Sequence, residues 1–341
     1  TDGASAALVV TDPEGYAVYE GPAAGDTIEI EGIQPWSHAA PVLYHAVLTL
    51  RDADGVLQEV VPYDIGFRRF EMINGVMCLN GERVVFNGVN RHEWNADRGR
   101  AIGADDMHAA MAVFKKNNIN AVRTCHYPDQ SLWYDLCDRN GIYMIDETNL
   151  ESHGSWQKLG AVEPSWNVPG SLPEWKDCVV DRARSMFERD KNHAAVLIWS
   201  CGNESYAGED ILAMSQFFHD HDPGRLVHYE GVFHCRAFDA ISDMESRMYA
   251  KPWEIREYLE SHPKKPFILC EYMHDMGNSL GGMESYVRLA DEFDQYQGGF
   301  IWDYMDQALR HTDALGRSVL GYGGDFADRN TDYNFSGNGI V

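Results

Sequence analysis

The sequence predicts a (β/α)8 TIM barrel preceded by a small immunoglobulin-like β-sandwich. Three observations carry that expectation. The first 65 residues or so show only strand-like patterns. From about residue 70, strand-like and helix-like segments alternate until eight strands have been laid down, the signature of a parallel sheet wrapped by helices. Finally, polar or aromatic groups follow every one of those strands, where a barrel keeps its chemistry.

In the first part, "TIEIEGI" (27–33) alternates apolar and polar residues. "LYHAVLTLRDADGVLQEVVPYDIGF" (43–67) holds two runs separated by "DADG", a hairpin signal. Four or five strands fit there, a partial sandwich lacking its first strand or two. The expected domains are therefore residues 1–68 for the sandwich and 69–341 for the barrel.

The barrel strands read as "VVFNGVN" (84–90), "NAVRTCH" (120–126), "IYMIDETN" (142–149) and "AAVLIWSCGNE" (194–204). The remaining four are "RLVHYEG" (225–231), "AISDM" (240–244), "PFILCEY" (266–272) and "GGFIWDYMD" (298–306). Helical periods fill 104–118, 131–141 with its Gly141 stop, 173–192, 209–222, 252–262 and 281–296. Little stands between strands five and six. The tail after strand eight is rich in Gly, Asp and Asn, and no closing helix is visible. The chain reads as cut at both ends. An open doubly wound sheet is the alternative, but no GxGxxG follows the first strand.

Composition narrows the function. Of 341 residues, 44% are hydrophobic, enough for a sizeable core, yet no run reaches the ~18 apolar residues of a membrane helix. A formal charge of −25 makes nucleic acid and anionic membranes poor partners. The seven cysteines are odd in number and form no CxxC, which points to free thiols in a reducing compartment and a cytoplasmic location. The chain begins at Thr1 with no signal peptide, as a processed or excised piece would.

The strand ends supply the candidates. Asn90, Arg91, His92 and Glu93 follow strand one; Arg123, His126 and Tyr127 follow strand two. Asp146, Glu147 and Asn149 end strand three, with Glu151 and His153 just beyond. Asn203 and Glu204 follow strand four, Tyr229 and Glu230 strand five, Met248 and Tyr249 strand six. Glu271, Tyr272 and His274 follow strand seven; Trp302 and Asp303 follow strand eight.

Glu204 and Glu271 each end an apolar run. A carboxylate there costs energy unless it is paired or hydrogen-bonded. Either alone reads as a loop acid. Together, on strands four and seven across the barrel mouth, they suit glycoside hydrolysis, which needs an acid and a nucleophile. Glu151 and His153 are two apart, so they share one side of an extended segment, and with Glu204 they could hold Mg²⁺ or Mn²⁺. Ordinary loop polarity also accounts for that pair. Trp302 is the best candidate for a sugar platform among Trp302, Tyr249 and Tyr127, although core packing is the default for aromatic residues.

At this point the longer motifs speak together. "GVNRHEWN", "AVRTCHYPDQSLWYDLCDRNGIYMIDETNLESHG", "IWSCGNES", "ILCEYMHDMGNSLGG", "QGGFIWDYMDQ" and "YGGDFAD" resemble the β-galactosidases of glycoside hydrolase family two, from about Trp36 to the C-terminus. The resemblance implies Glu204 as general acid/base and Glu271 as nucleophile. It implies a Mg²⁺ site of Glu151, His153 and Glu204. It assigns sugar or transition-state contacts to His92, His126, Asn203, His274 and Trp302, and sets Arg123 and Tyr249 beside the nucleophile. Phe335 and Asn338 resemble Na⁺ and substrate contacts. Family members carry an N-terminal sugar-binding domain and further β-domains that complete the site, so the Na⁺ site is expected to be incomplete here. A homo-oligomer is implied for the full-length protein.

The expected reaction is retaining cleavage of terminal β-D-galactose from β-galactosides such as lactose. Three rivals remain from the sequence: a catalytically impaired carbohydrate-binding module, a β-glucuronidase-like relative, and a metal-dependent barrel lyase or hydrolase.

Overall fold

A computed structural model describes residues 3–23, 27–153, 155, 167–277, 279–329 and 333–341. The chain opens with β1 (Ser5–Thr11), β2 (Ala17–Pro22), β3 (Tyr44–Arg51) and β4 (Leu57–Ile65), an antiparallel sheet in the order β2-β1-β3-β4. The "DADG" segment turns β3 into β4, with Asp52 Oδ1 accepting from Asp54 N and Val56 N. Residues 27–33, expected as a strand, are not one. Ile30 and Ile33 pack against Val10, Tyr44 and Ala46, as the alternation implied, but the segment joins no ladder. Alternation selects the buried face; a strand also needs a neighbour for its main-chain groups.

A three-stranded antiparallel sheet follows, β5 (Phe70–Ile73), β6 (Val76–Leu79) and β7 (Glu82–Arg83). Then comes the barrel: β8 (Phe86–Asn90), β9 (Ala121–Arg123), β10 (Tyr143–Glu147), β11 (Val196–Ser200), β12 (Leu226–His228), β13 (Glu245–Met248), β14 (Phe267–Tyr272) and β15 (Tyr296–Ile301). Every pairing is parallel, and β15 returns to pair with β8. Among the described residues no ladder joins β12 to β13. One main-chain bond and several side chains stitch that seam. Asp243 N donates to Val227 O at 2.8 Å, Val227 N to Asp243 Oδ2 at 2.7 Å, and Tyr229 N to Ser242 Oγ at 3.1 Å. His228 Nε2 lies 2.8 Å from Ser246 Oγ.

The sixth strand lies at 245–248, five residues later than "AISDM" suggested; Ala240 and Ile241 end a 3-10 turn instead. The true strand reads "ESRM", with no apolar pattern, because its buried Glu245 is satisfied by Arg236 Nη2 at 2.7 Å and Arg247 Nε at 2.6 Å.

The outer layer is α1 (Ala104–Lys116), α2 (Ser131–Asn140), α3 (Pro173–Asp190), α4 (Glu209–His221), α5 (Pro252–Glu260) and α6 (Glu284–Glu292). In α1, Met107, Ala110, Met111 and Phe114 make the buried stripe, with acids in the first turn and lysines in the last. After β15 the chain forms a hairpin, β16 (Leu309–Thr312) and β17 (Ser318–Gly321). The N-terminal part is anchored by Trp36, whose Nε1 donates to Asp138 O at 2.8 Å, and by Arg68, which donates to Ala194 O and Val196 O at 2.8 and 2.6 Å. No helix among the described residues is long and apolar enough to cross a membrane.

Gly298 marks the tightest crossing of the closed side. Its φ is +88°, and a Cβ there would sit 2.1 Å from Phe86 O on the neighbouring strand. Backbone cannot yield as a side-chain tip would. Gly298→Ala is therefore expected to destabilise by about 1–3 kcal/mol or more. Thermal unfolding checks this, and an unchanged Tm would contradict it.

Candidate active site

The C-terminal ends of the strands surround a cavity of about 510 Å³. Its wall contains His92, His126, Glu151, His153, Asn203, Glu204, Tyr249, Glu271, His274, Trp302 and Phe335, all expected from the sequence, together with Met276. Arg123 lies beneath the cavity floor, fully buried. Asn338 is buried behind the wall, its carbonyl accepting from Asp303 N at 2.9 Å.

The floor is built on Arg123. Its Nε and Nη2 donate to the two oxygens of Glu147 at 2.6 and 3.1 Å. Nη1 donates to Asn90 Oδ1 at 3.0 Å and Glu271 Oε1 at 2.8 Å; Nη2 also donates to Asn203 Oδ1 at 2.7 Å. Burial alone would push Glu147 up, but the guanidinium, helped by His126, holds it at about 2. A buried cation is tolerable only with this completeness of pairing.

Glu271 is the fifth residue of β14 and is held at both oxygens. Arg123 takes Oε1, and Tyr249 Oη donates to Oε2 at 2.6 Å. Tyr249 follows β13 at φ +56°, which swings its phenol inward.

Glu204 stands four residues beyond β11, at φ +37°, rather than at the end of the strand itself. Burial, then the nearby charges of Glu271 and Glu151, pushes its carboxyl up to about 8, while Arg123 pulls the other way. His153 Nδ1 lies 2.5 Å from Glu204 Oε2. Ligand-type atoms of Glu151, His153 and Glu204 all lie within 4.8 Å of one another. Asn203 Nδ2 donates to Glu151 Oε2 at 2.6 Å, so Asn203 ties this carboxylate cluster to Arg123.

Two of the histidines on the cavity wall, His92 and His126, are assigned opposite tautomers. Tyr127 Oη accepts from Glu93 N at 3.0 Å, which leaves its proton for His92 Nδ1 at 3.2 Å. Burial, then His126, pulls His92 down to about 3, so it is neutral with its proton on Nε2. His126 instead donates from Nδ1 to Glu147 Oε1 at 2.7 Å. His126 also stacks on Trp302, with centroids 5.2 Å apart and planes 7° apart. Trp302 thus has part of one face already covered.

His274 sits between Tyr249 and Phe335, ring centroids 5.6 and 5.4 Å away. Behind Phe335, Asn338 Oδ1 and Asp303 Oδ1 are buried with no hydrogen-bond partner among the described residues.

Three supporting residues carried no role in the sequence reading. Glu147 anchors both Arg123 and His126. Ser200 Oγ donates to Glu147 Oε2 at 2.8 Å and so accepts from His228 Nδ1 at 2.9 Å. Burial keeps His228 at about 3, hence neutral, and its Nε2 accepts from Ser246 Oγ. A strand-end acid following "IYMI" was the visible signal for Glu147; nothing local marks Ser200 or His228.

Arg123→Met strips Glu147 and Glu271 of their cation and is expected to destabilise by about 3–5 kcal/mol in chemical denaturation. Glu147 adds a pH signature. Its folded value of about 2 lies below its ordinary 4.5, so its stabilisation is fully present above pH 4.5 and is lost as pH falls toward 2. The stability difference between wild type and Glu147→Gln should narrow over that window by on the order of 3 kcal/mol. A difference independent of pH would contradict the pairing.

Comparison with known proteins identifies the family of the chain. Residues 70–341 match the family described as glycosyl hydrolases family 2, TIM barrel domain, and residues 3–68 match glycosyl hydrolases family 2. A beta-galactosidase of Halalkalibacterium halodurans is 63% identical over 306 residues, covering 90% of this chain and 30% of that protein. A beta-galactosidase of Clostridium acetobutylicum is 62% identical, covering 92% of this chain and 35% of the relative. A beta-galactosidase large subunit of Lactobacillus acidophilus is 58% identical, covering 92% and 50%. The chain therefore spans half or less of the length of these relatives. A solved β-glucuronidase from Ruminococcus gnavus, in complex with D-glucuronic acid, superposes with a TM-score of 0.75 at 20% identity, over 93% of this chain and 59% of that one. At that identity the likeness is one of fold. With a barrel model matching from residue 70 to the last residue, the chain belongs to glycosyl hydrolases family 2.

Proposed function

We propose that this chain is the catalytic core of a retaining β-galactosidase. The observation that carries the reading is the pair Glu204 and Glu271, which reach one cavity from β11 and β14 in unlike environments. Glu271 is gripped at both oxygens, and Glu204 is pushed up to about 8 by burial and neighbouring acids. Two carboxyls in different surroundings take different roles.

Glu204 donates its proton to the leaving-group oxygen while Glu271 attacks the anomeric carbon. The C–O bond to the aglycone breaks and a glycosyl–Glu271 ester forms. Glu204, now a base, takes a proton from water, which opens the ester and releases the sugar with its configuration retained. Tyr249 and Arg123 hold the attacking carboxylate in line. His92, with its proton on Nε2, offers a donor to a sugar hydroxyl.

Galactose as the sugar rests on the names of the relatives and on the cavity itself. Among the described residues no lysine or arginine lines its wall, which favours a neutral sugar over a uronate needing a cation for its carboxylate. The donor set of Glu151, His153 and Glu204 fits a hard divalent cation such as Mg²⁺. When bound, it would supply positive charge beside the acid/base. Phe335 and Asn338 fit part of a Na⁺ site, since Asn338 Oδ1 is a buried oxygen with no hydrogen-bond partner among the described residues.

The tests use the full-length protein carrying this chain. Glu271→Gln is expected to abolish turnover of an aryl β-galactoside, and wild-type rates would sink the nucleophile assignment. Glu204→Gly should lose about 10²–10⁴-fold on substrates that need protonation, with azide restoring part of the rate on an activated one. A folded but unrescued variant would remove the acid/base role. Turnover of an aryl β-glucuronide in preference to the galactoside would overturn the sugar.

A further inference from the structure

Glu230 lies outside the cavity just described, yet it touches the residue on which the proposed chemistry depends. It is 5% exposed and opens the short 3-10 turn Glu230–Phe233 directly after β12. Its Oε1 accepts the main-chain N–H of Glu204 at 2.6 Å. Its Oε2 has no hydrogen-bond partner among the described residues. The bond it accepts from another residue thus comes from one peptide, that of Glu204.

That peptide needs holding. Glu204 is a non-glycine residue at φ +37°, a conformation that costs about 1–2 kcal/mol. Its neighbours are fixed as well. Asn203 N donates to Leu150 O at 2.8 Å, and Ser205 N donates to Tyr229 Oη at 3.1 Å. Tyr229 Oη also donates to Ser205 O. Three consecutive amides are thus tied to other parts of the chain, and the middle tie is Glu230. Glu230 lines a chamber of about 110 Å³ whose wall also holds Glu204, Tyr206, Phe233, His234 and Arg247, and it is not in the wall of the larger cavity described above. Its hydrogen bond to a residue of that cavity wall is the one to Glu204 N.

We propose that Glu230 is a positioning residue that locks the Glu204 main chain in its left-handed conformation and so aims the Glu204 carboxyl at the leaving-group oxygen. The inference rests on the acid/base reading above. Losing the lock should harm only what Glu204 does. Glycosides of poor leaving groups need its proton. A 2,4-dinitrophenyl glycoside departs without it, so its kcat/KM, which reports the first step, is insensitive to the acid.

The experiment compares Glu230→Leu and Glu230→Gln in the full-length protein carrying this chain. In Glu230→Leu, kcat/KM for an unactivated aryl β-galactoside should fall about 10- to 100-fold while that for the dinitrophenyl galactoside stays within about threefold. Glu230→Gln keeps an oxygen for the same N–H and should recover most of the loss. Equal losses on both substrates, or no loss, would overturn the proposal. Crystal structures of both variants decide it independently of activity. Glu204 should leave positive φ in the Leu variant and keep it in the Gln variant; an unmoved Glu204 in the Leu variant overturns the lock. An inactive wild type would sink the proposed function, and the structural comparison would still decide the lock. If Glu230→Leu does not fold, Glu230→Asp, which withdraws the oxygen by one methylene, is read in the same way.

Discussion

One fully buried guanidinium organises this molecule. Arg123 joins Asn90 of β8, Glu147 of β10, Asn203 beyond β11 and Glu271 of β14 through hydrogen bonds of 2.6–3.1 Å. A cation without water is affordable only with nearly complete pairing, and incomplete pairing would cost several kcal/mol. The strands must therefore bring their ends to one point before Arg123 can be buried. Closing the barrel and assembling the candidate site become the same event. Asn90 reinforces this, because its Nδ2 donates to Cys270 O and Phe300 O at 2.9 and 3.1 Å, tying the first barrel strand to the seventh and eighth.

The same centre explains how so many acids share a small space. Glu147, Glu151, Glu204, Glu230 and Glu271 cluster about it. Repulsion among them is relieved in two ways. Glu147 and Glu271 face the guanidinium directly. Glu204 and Glu230 lie further off, and burial pushes each up to about 8. Pairing with one buried cation and burial away from it thus place neighbouring carboxyls in unlike environments.

Much of this was legible along the chain, for identifiable reasons. The barrel shows in alternating periods because its parallel strands are buried on both faces. Glu271 and Glu147 show because a carboxylate closing an apolar run is conspicuous. Glu204 was visible too, but the turn that carries it four residues past its strand was not. What stayed hidden depends on distant partners. "ESRM" does not look like a strand until Arg236 and Arg247 satisfy Glu245. "TIEIEGI" looks like one, but no neighbouring edge receives it. Glu230, Ser200 and His228 are unremarkable locally, and their significance comes entirely from what they touch. Asn338 and Asp303 meet only in the folded chain, where Asp303 N donates to Asn338 O and each keeps a buried side-chain oxygen without a partner among the described residues.

The gap between β12 and β13 divides the supports of the candidate site. Seven of the eight junctions of the ring are main-chain ladders; the eighth relies on residues such as Asp243, Ser242 and Ser246. That junction therefore carries fewer main-chain bonds than its neighbours. The supports of Glu204 and Glu271 lie on either side of that junction. Tyr229 and Glu230, which hold Glu204, follow β12, and Tyr249, which holds Glu271, follows β13. The relay Ser246–His228–Ser200–Glu147 runs from the junction back to the partner of Arg123. The supports of the two carboxyls proposed as acid/base and nucleophile are thereby divided by the one junction of the ring that has no main-chain ladder among the described residues.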